Sequence, residues 1–207
     1  MRTDRGFERL LFFSDAVVAI ALTLLVLPLV DLAKEAHGRT STSSFLGDHL
    51  YALFAFALGF VVIGVLWRAH HELFEHLRSY DSTVLAINEL WLFTIVLLPF
   101  ATELINRSHT GRTANGLYVA TLLVSSLCLT GIKLIARRRP GLRHPDSAAD
   151  PTNPIDEPPG VTAGVLAVIL VVVIAVPSGG LWPMVGLMLA SPIRAILVRR
   201  RGSSPTS

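Results

Sequence analysis

Residues 9–31 read Arg9-Leu10-Leu11-Phe12-Phe13-Ser14-Asp15-Ala16-Val17-Val18-Ala19-Ile20-Ala21-Leu22-Thr23-Leu24-Leu25-Val26-Leu27-Pro28-Leu29-Val30-Asp31. Between Leu10 and Val30 only Ser14, Asp15 and Thr23 interrupt the apolar side chains. The run is about 20 residues long, the length of helix that crosses ~30 Å of hydrocarbon. A stretch this long and apolar on most faces predicts a membrane-spanning helix. The whole chain agrees. Its 207 residues are 52% hydrophobic and only 16% charged, whereas soluble domains are about a quarter charged. Mean hydropathy is +0.57. The fold class this predicts is an all-α integral membrane protein.

Working outward, six apolar segments emerge: about Leu10–Val30, Leu50–Trp67, Val84–Leu104, Leu117–Ala136, Val161–Val176 and Leu181–Val198. Only Ser178, Gly179 and Gly180 clearly separate the last two, which predicts a tight helical hairpin. Orientation follows from the Lys and Arg residues in the connections. With both ends on one side, that side holds fourteen of the 18, and the other holds only Lys34, Arg39, Arg107 and Arg112. The richer side is expected to be the cytoplasm, with both termini inside and the chain a multi-pass protein of the cell membrane. An odd number of helices would spoil this asymmetry.

Several classes are disfavoured. The single cysteine, Cys128, lies inside an apolar run, so no disulfide scaffold is expected. A pI near 9.5 and a net charge of +3 are not those of a nucleic-acid binder here, because the basic residues sit between hydrophobic blocks. Ser14 and Asp15 interrupt the first segment, and no small-x-small site follows before Pro28, which argues against a cleaved signal peptide. The whole of 1–207 is expected to be one domain. Residues 137–160 form a Pro-rich cytoplasmic linker, expected to be irregular and mobile, and 199–207 a disordered tail.

Polar groups within spanning segments are the informative positions, since each needs a partner where there is no water. Arg9, Ser14 and Asp15 begin the first helix. Trp67, Arg68, His70, His71 and Glu72 end the second, and Asn88 and Glu89 begin the third. The topology places all of them at similar depth. Arg9 and Asp15 lie ~600° apart around the helix and point to different faces; each is expected to meet His70, His71 or Asn88 instead. A structural clamp holding three helices in register is the plainest reading, and a proton or ion relay the sharper one. His71, Glu72 and His76 resemble the zinc motif HExxH, but the extra residue turns the second histidine off the shared face. No nucleophile elbow surrounds Ser14. No enzyme, cofactor or resident metal is expected.

The segment Arg9-x-x-x-Phe13-Ser14-Asp15 resembles the signature of the transmembrane protein 175 family, potassium channels of bacteria, archaea and animal endolysosomes. Ala19 through Leu27, Trp67-Arg68-Ala69-His70-His71-Glu72-Leu73-Phe74, and Asn88 through Phe100 extend the likeness. The matches cover roughly the first half of the chain. The resemblance implies a single six-helix unit of the prokaryotic type, assembled as a homotetramer with helix one lining a central pore. It also implies potassium selection without a T-V-G-Y-G filter, and neither G-Y-G nor G-F-G occurs in the chain.

Ile20, Leu24 and Leu27 fall at i, i+4 and i+7, one stripe of a helix. By themselves they read as residues that pack on other helices or lipid. Matched onto the family's pore helix, Ile20 takes the narrowest hydrophobic ring, Leu24 and Leu27 form further rings outward, and Thr23 adds a hydroxyl beside the constriction. Four residues on, Asp31 falls at the outer mouth, where carboxylates concentrate cations. A narrow apolar ring dewets and blocks ions; a wider one makes them shed water, which potassium does more easily than sodium. Pro28 and Pro99 are expected to kink the outer parts of helices one and three. The function this implies is a leak-type potassium channel whose partners are potassium ions, the lipid bilayer and its own copies. The rival is an ion-coupled secondary transporter using Asp15, His70 and His71 as a relay.

Overall fold

The computed structural model describes residues 4–35, 42–108, 112–145 and 153–156. The expected segments 161–176 and 181–198, the hairpin at Ser178 to Gly180 and the tail 199–207 lie outside the described residues. The elements are α1 (Asp4–Leu24), α2 (Leu27–Glu35), α3 (Thr42–Asp48), α4 (Leu50–Glu75), α5 (Ser82–Ser108) and α6 (Arg112–Arg138), followed by a 3₁₀ turn over Pro140–Leu142. Among the described residues, four stretches are long and apolar enough to cross a membrane: Arg5–Lys34, which joins α1 and α2, Leu50–Glu75, Ser82–Ile105 and Thr113–Arg138. The start of α1, the end of α4, the start of α5 and the end of α6 share one end of the bundle, called proximal below.

Each helix buries one stripe. On α1 it is Phe7, Leu10, Ser14, Val18 and Ala21, continued by Leu25 just beyond its end, spaced three or four apart. Lipid tails are as apolar as leucine, so such helices associate through close packing, helped by small residues. Small side chains accordingly occupy buried positions throughout: Ala21, Ala52, Ala55, Ala101, Ala114 and Ala136. α5 packs most extensively on α6, then on α1 and α4. Two cores result. One runs through the middle and distal part around Ile63, Trp91, Ile95 and Leu98; the other, around Phe7, Phe74, Ile132 and Ile155, closes the proximal end.

Two expectations are refined. The kink expected at Pro28 does not fall on the proline itself: the first segment breaks at Leu25–Val26. The Val26 N–H bonds to the Thr23 carbonyl at 3.3 Å, one residue short of helical register, and the ladder resumes with the Val30 N–H on the Val26 carbonyl at 3.1 Å. Pro28 sits in the first turn of α2, where its missing N–H is tolerated. α5, by contrast, continues through Pro99. The described parts of 137–160 are not an unattached linker either. Leu142 and Ile155 are buried in the proximal core, the Arg78 N–H donates to the Leu142 carbonyl at 3.0 Å, and the His144 N–H donates to the His76 carbonyl at 2.9 Å. Asp81 closes this end by capping α5, its Oδ1 accepting the Val84 N–H at 2.9 Å.

Candidate functional site

Behind α1, three helices contribute one polar cluster. Ser14 from α1, His70 from α4 and Asn88 from α5 are all essentially inaccessible. The Asn88 carboxamide oxygen can only accept, so His70 Nε2 donates to it at 2.8 Å. Asn88 Nδ2 donates to Ser14 Oγ at 3.1 Å, and Ser14 Oγ donates to the Leu10 carbonyl at 2.9 Å. Asn88 thus works as donor and acceptor at once and ties α4 to α1. The His70 ring lies stacked between Phe74 and Trp91, each 4.1 Å away centroid to centroid. Phe74 follows His70 by one helical turn, so α4 itself brings the two together.

Beside this cluster, Asp15 is half-buried and accepts the Trp67 Nε1–H at 2.8 Å. Trp67 in turn stacks on His71 at 5.3 Å, and His71 Nε2 stands 3.2 Å from Glu75. The expected partners are therefore corrected: Asp15 meets Trp67 instead of His70, His71 or Asn88, and it is Ser14 that meets Asn88. Arg9 meets none of them. It lies on the exposed stripe of α1 with Phe13, and has no hydrogen bond or ion pair among the described residues. Asp15, His70 and His71 each bond to a different neighbour, so these bonds do not join them into a relay. His76 Nδ1 donates to the Glu72 carbonyl at 2.8 Å, and no group of three metal-ligating side chains occurs among the described residues.

The other face of α1 carries the apolar stripe. Ile20 is 59% exposed in the single chain, Leu24 39% and Leu27 52%, while Val18 on the far side is 3% exposed. The hydroxyl of Thr23 donates back to the Ile20 carbonyl at 2.7 Å. Asp31 is exposed and pairs with Lys34 at 2.9 Å. Phe13, Ile20, Thr23 and Leu24 on α1 and Leu27 and Asp31 on α2 thus face out of this chain, and the polar cluster anchors the opposite face of α1. Sequence reasoning missed Leu25, Gly59 and Thr102, which meet at the break. A Cβ placed on Gly59 would lie 3.2 Å from Leu25 Cδ2 and 3.5 Å from Thr102 Oγ1. The signal was a glycine within an alanine-rich helix opposite a proline-containing one.

A family model described as endosomal/lysosomal potassium channel TMEM175 matches residues 9–99. That stretch takes in α1 from Arg9 onward, α2, α3, α4 and α5 as far as Pro99, and so the whole Ser14–His70–Asn88 cluster. A protein from Chryseobacterium sp. (strain P1-3) named as a potassium channel is 32% identical over 64% of this chain and 66% of its own length. One from Streptomyces collinus, also named as a potassium channel, is 27% identical over 58% of this chain and 59% of its own. The human endosomal/lysosomal proton channel TMEM175 is 28% identical over 47% of this chain, yet only 19% of its own. The match therefore spans about two thirds of the bacterial relatives at most and about a fifth of the human one. The fold is similar to the crystal structure of a TMEM175 homologue from Chamaesiphon minutus, described as a lysosomal potassium-selective channel homologue. The TM-score is 0.63 at 22% identity, covering 97% of this chain and 100% of that one. The chain is a multi-pass membrane protein whose residues 9–99, which carry the signature and the cluster that holds it, match the TMEM175 family.

Proposed function

We propose that the protein is a potassium-conducting channel, not an enzyme, in which α1 lines the pore. The observation that carries this reading is the division of α1 into two faces. One face is locked to α4 and α5 by Ser14, Leu10, Val18 and Ala21; the other leaves Ile20, Leu24 and Leu27 uncovered in the single chain. In a homotetramer of six-helix units with cytoplasmic termini, this uncovered stripe turns to the central axis. Ile20 then forms the narrowest ring, Leu24 and Leu27 wider ones, and Thr23 borders the constriction. The barrier at such a ring is the cost of wetting an apolar neck and of removing part of the ion's hydration shell. Potassium pays less than sodium, so the ring selects modestly while it gates. Asp31 raises cation concentration at the outer mouth. The names of the bacterial relatives favour potassium as the permeant ion.

A second reading, proton permeation, rests on the names of the animal relatives. One experiment addresses both. Purified protein in a planar bilayer under a potassium/sodium bi-ionic gradient, repeated with a pH step, is expected to give unitary currents that reverse toward the potassium potential. Saturating transport that needs a second gradient would instead support a coupled carrier and defeat this proposal.

A further inference from the structure

The break at Leu25–Val26 divides the first span unequally. α1 packs against both α4 and α5, whereas α2 makes no extensive contact with any other helix among the described residues. The proximal part is fixed by the Ser14–Asn88–His70 bonds. The distal part hangs from one buried residue, Leu25, which is 4% exposed. Leu25 sits where α4 offers no side chain: its δ carbons would lie 3.2 and 3.6 Å from a Cβ on Gly59, with the Thr102 hydroxyl 3.5 Å from the same point. The first distance is tighter than ordinary van der Waals contact, so a methyl there must displace Leu25. Space for movement exists beside it. A cavity of about 20 Å³ is lined by Leu25, Pro28, Ala52, Ala55 and Pro99 among others, roughly the room of one water molecule.

We infer that Leu25, seated between Gly59 and Thr102, is a pivot. It sets the tilt of the distal segment Leu27–Glu35 against the fixed part of α1, so that Leu27 and Asp31 move together while Ile20 stays in place. A helix whose ladder is already broken bends at the break at little cost, and proline prevents the ladder from closing over it. Resting on the channel reading, this makes the pivot a control on opening that leaves ion choice at Ile20 alone. Gly59 and Leu25 are positioning residues; neither is proposed to touch the ion.

The test moves one methyl from side to side. Gly59→Ala crowds the seat, and Leu25→Val removes the δ carbons that fill it; each alone loosens the pivot. Together they exchange volume, and the double variant is expected to return toward wild type, a coupling that independent lesions do not show. Hydrogen exchange of peptides covering residues 24–35, in lipid nanodiscs, is expected to quicken about tenfold in each single variant, a change of local opening. Gly64→Ala is the control, since a Cβ there meets nothing within 4 Å. In bilayers the single variants are expected to change open probability at least about threefold with the reversal potential unmoved, as a gating element does. Unchanged exchange in both single variants overturns the pivot whatever the currents do. Faster exchange with wild-type open probability, or a shifted reversal potential, overturns its control of opening. If wild type carries no potassium current while exchange behaves as described, the pivot stands and the channel reading falls.

Discussion

The two ends of the first span are held by opposite kinds of chemistry. At the proximal end, α1 is fixed by directed bonds: Ser14 to Asn88, Asn88 to His70, Asp15 to Trp67. At the distal end it is fixed by the fit of one leucine against a glycine and a threonine. A hydrogen bond buried away from water tolerates little displacement, because both partners lose their satisfaction together. An apolar contact gives way gradually, since dispersion fades over fractions of an ångström instead of vanishing. The contrast teaches where this span is a fixed post and where it is held less rigidly.

The largest effect is expected from breaking the fixed end. Asn88→Leu removes both the acceptor for His70 and the donor for Ser14, leaving the buried His70 N–H unpaired at about 1–3 kcal/mol and Ser14 with only its bond to the Leu10 carbonyl. A marked fall in the melting temperature of detergent-extracted protein is the expected result. Arg9→Ala is the contrast within the same helix turns. Being exposed and unbonded among the described residues, Arg9 is expected to change stability by less than about 0.5 kcal/mol. Equal melting shifts in the two variants would erase the distinction between the locked and uncovered faces.

The next effect sharpens the uncovered face. Ile20→Asn keeps similar size but offers an amide to water, so current is expected to rise and potassium-to-sodium discrimination to fall together. Val18 is no use as a control, because it is buried against the bundle and an amide there would destabilise it. Val96, 48% exposed on α5, serves instead, and Val96→Asn is expected to leave the reversal potential unchanged. If Val96→Asn shifts it and Ile20→Asn does not, α1 does not line the pore.

How much of this was legible beforehand varies with the kind of contact. The first four spans were read from apolarity alone, but α4 runs to Glu75, beyond the expected end at Trp67. Hydropathy falls where polar side chains begin, whereas the backbone ladder continues past that point. Ser14 and Asn88 stood out as polar residues at one depth. Their pairing did not, because adjacent residues such as Ser14 and Asp15 point ~100° apart and small helix rotations decide which one meets which neighbour. Pro28 signalled a distortion, yet the break falls at Leu25–Val26, where Leu25 packs against Gly59, far away in sequence. Arg9 misled because a charge near a spanning segment was taken to need a protein partner, while at a helix end the exposed side chain can reach out of the hydrocarbon instead.

A smaller effect concerns the distal segment. Asp31 is partly offset by Lys34 at 2.9 Å, so Asp31→Asn is expected to lower inward current modestly at low salt. The loss should fade near 1 M, where the Debye length is ~3 Å. Lys34→Gln exposes the full carboxylate field and should act in the opposite direction. Equal losses in both variants would mean that the helix segment, not its charge, matters there.

The smallest effect lies at the proximal end, outside the spans. Asp81 caps α5 through the Val84 N–H and pairs with Arg139. The backbone bond from Val84 holds its carboxyl below the usual range; burial opposes it, and the weaker field of Arg139 adds to the lowering. A carboxyl whose pKa is lower when folded stabilises the fold above its ordinary pKa and loses that contribution as pH falls toward the depressed value. Acidification through this window should therefore loosen the cap and the Arg139 contact. The expected signature is faster hydrogen exchange, corrected for the intrinsic rate, in peptides starting at Ser82. Asp81→Asn retains an acceptor for the cap but has no proton to gain, so it should flatten the response. A pH response in Asp81→Asn equal to that of wild type would assign the loosening to another group and remove Asp81 from the proximal lock.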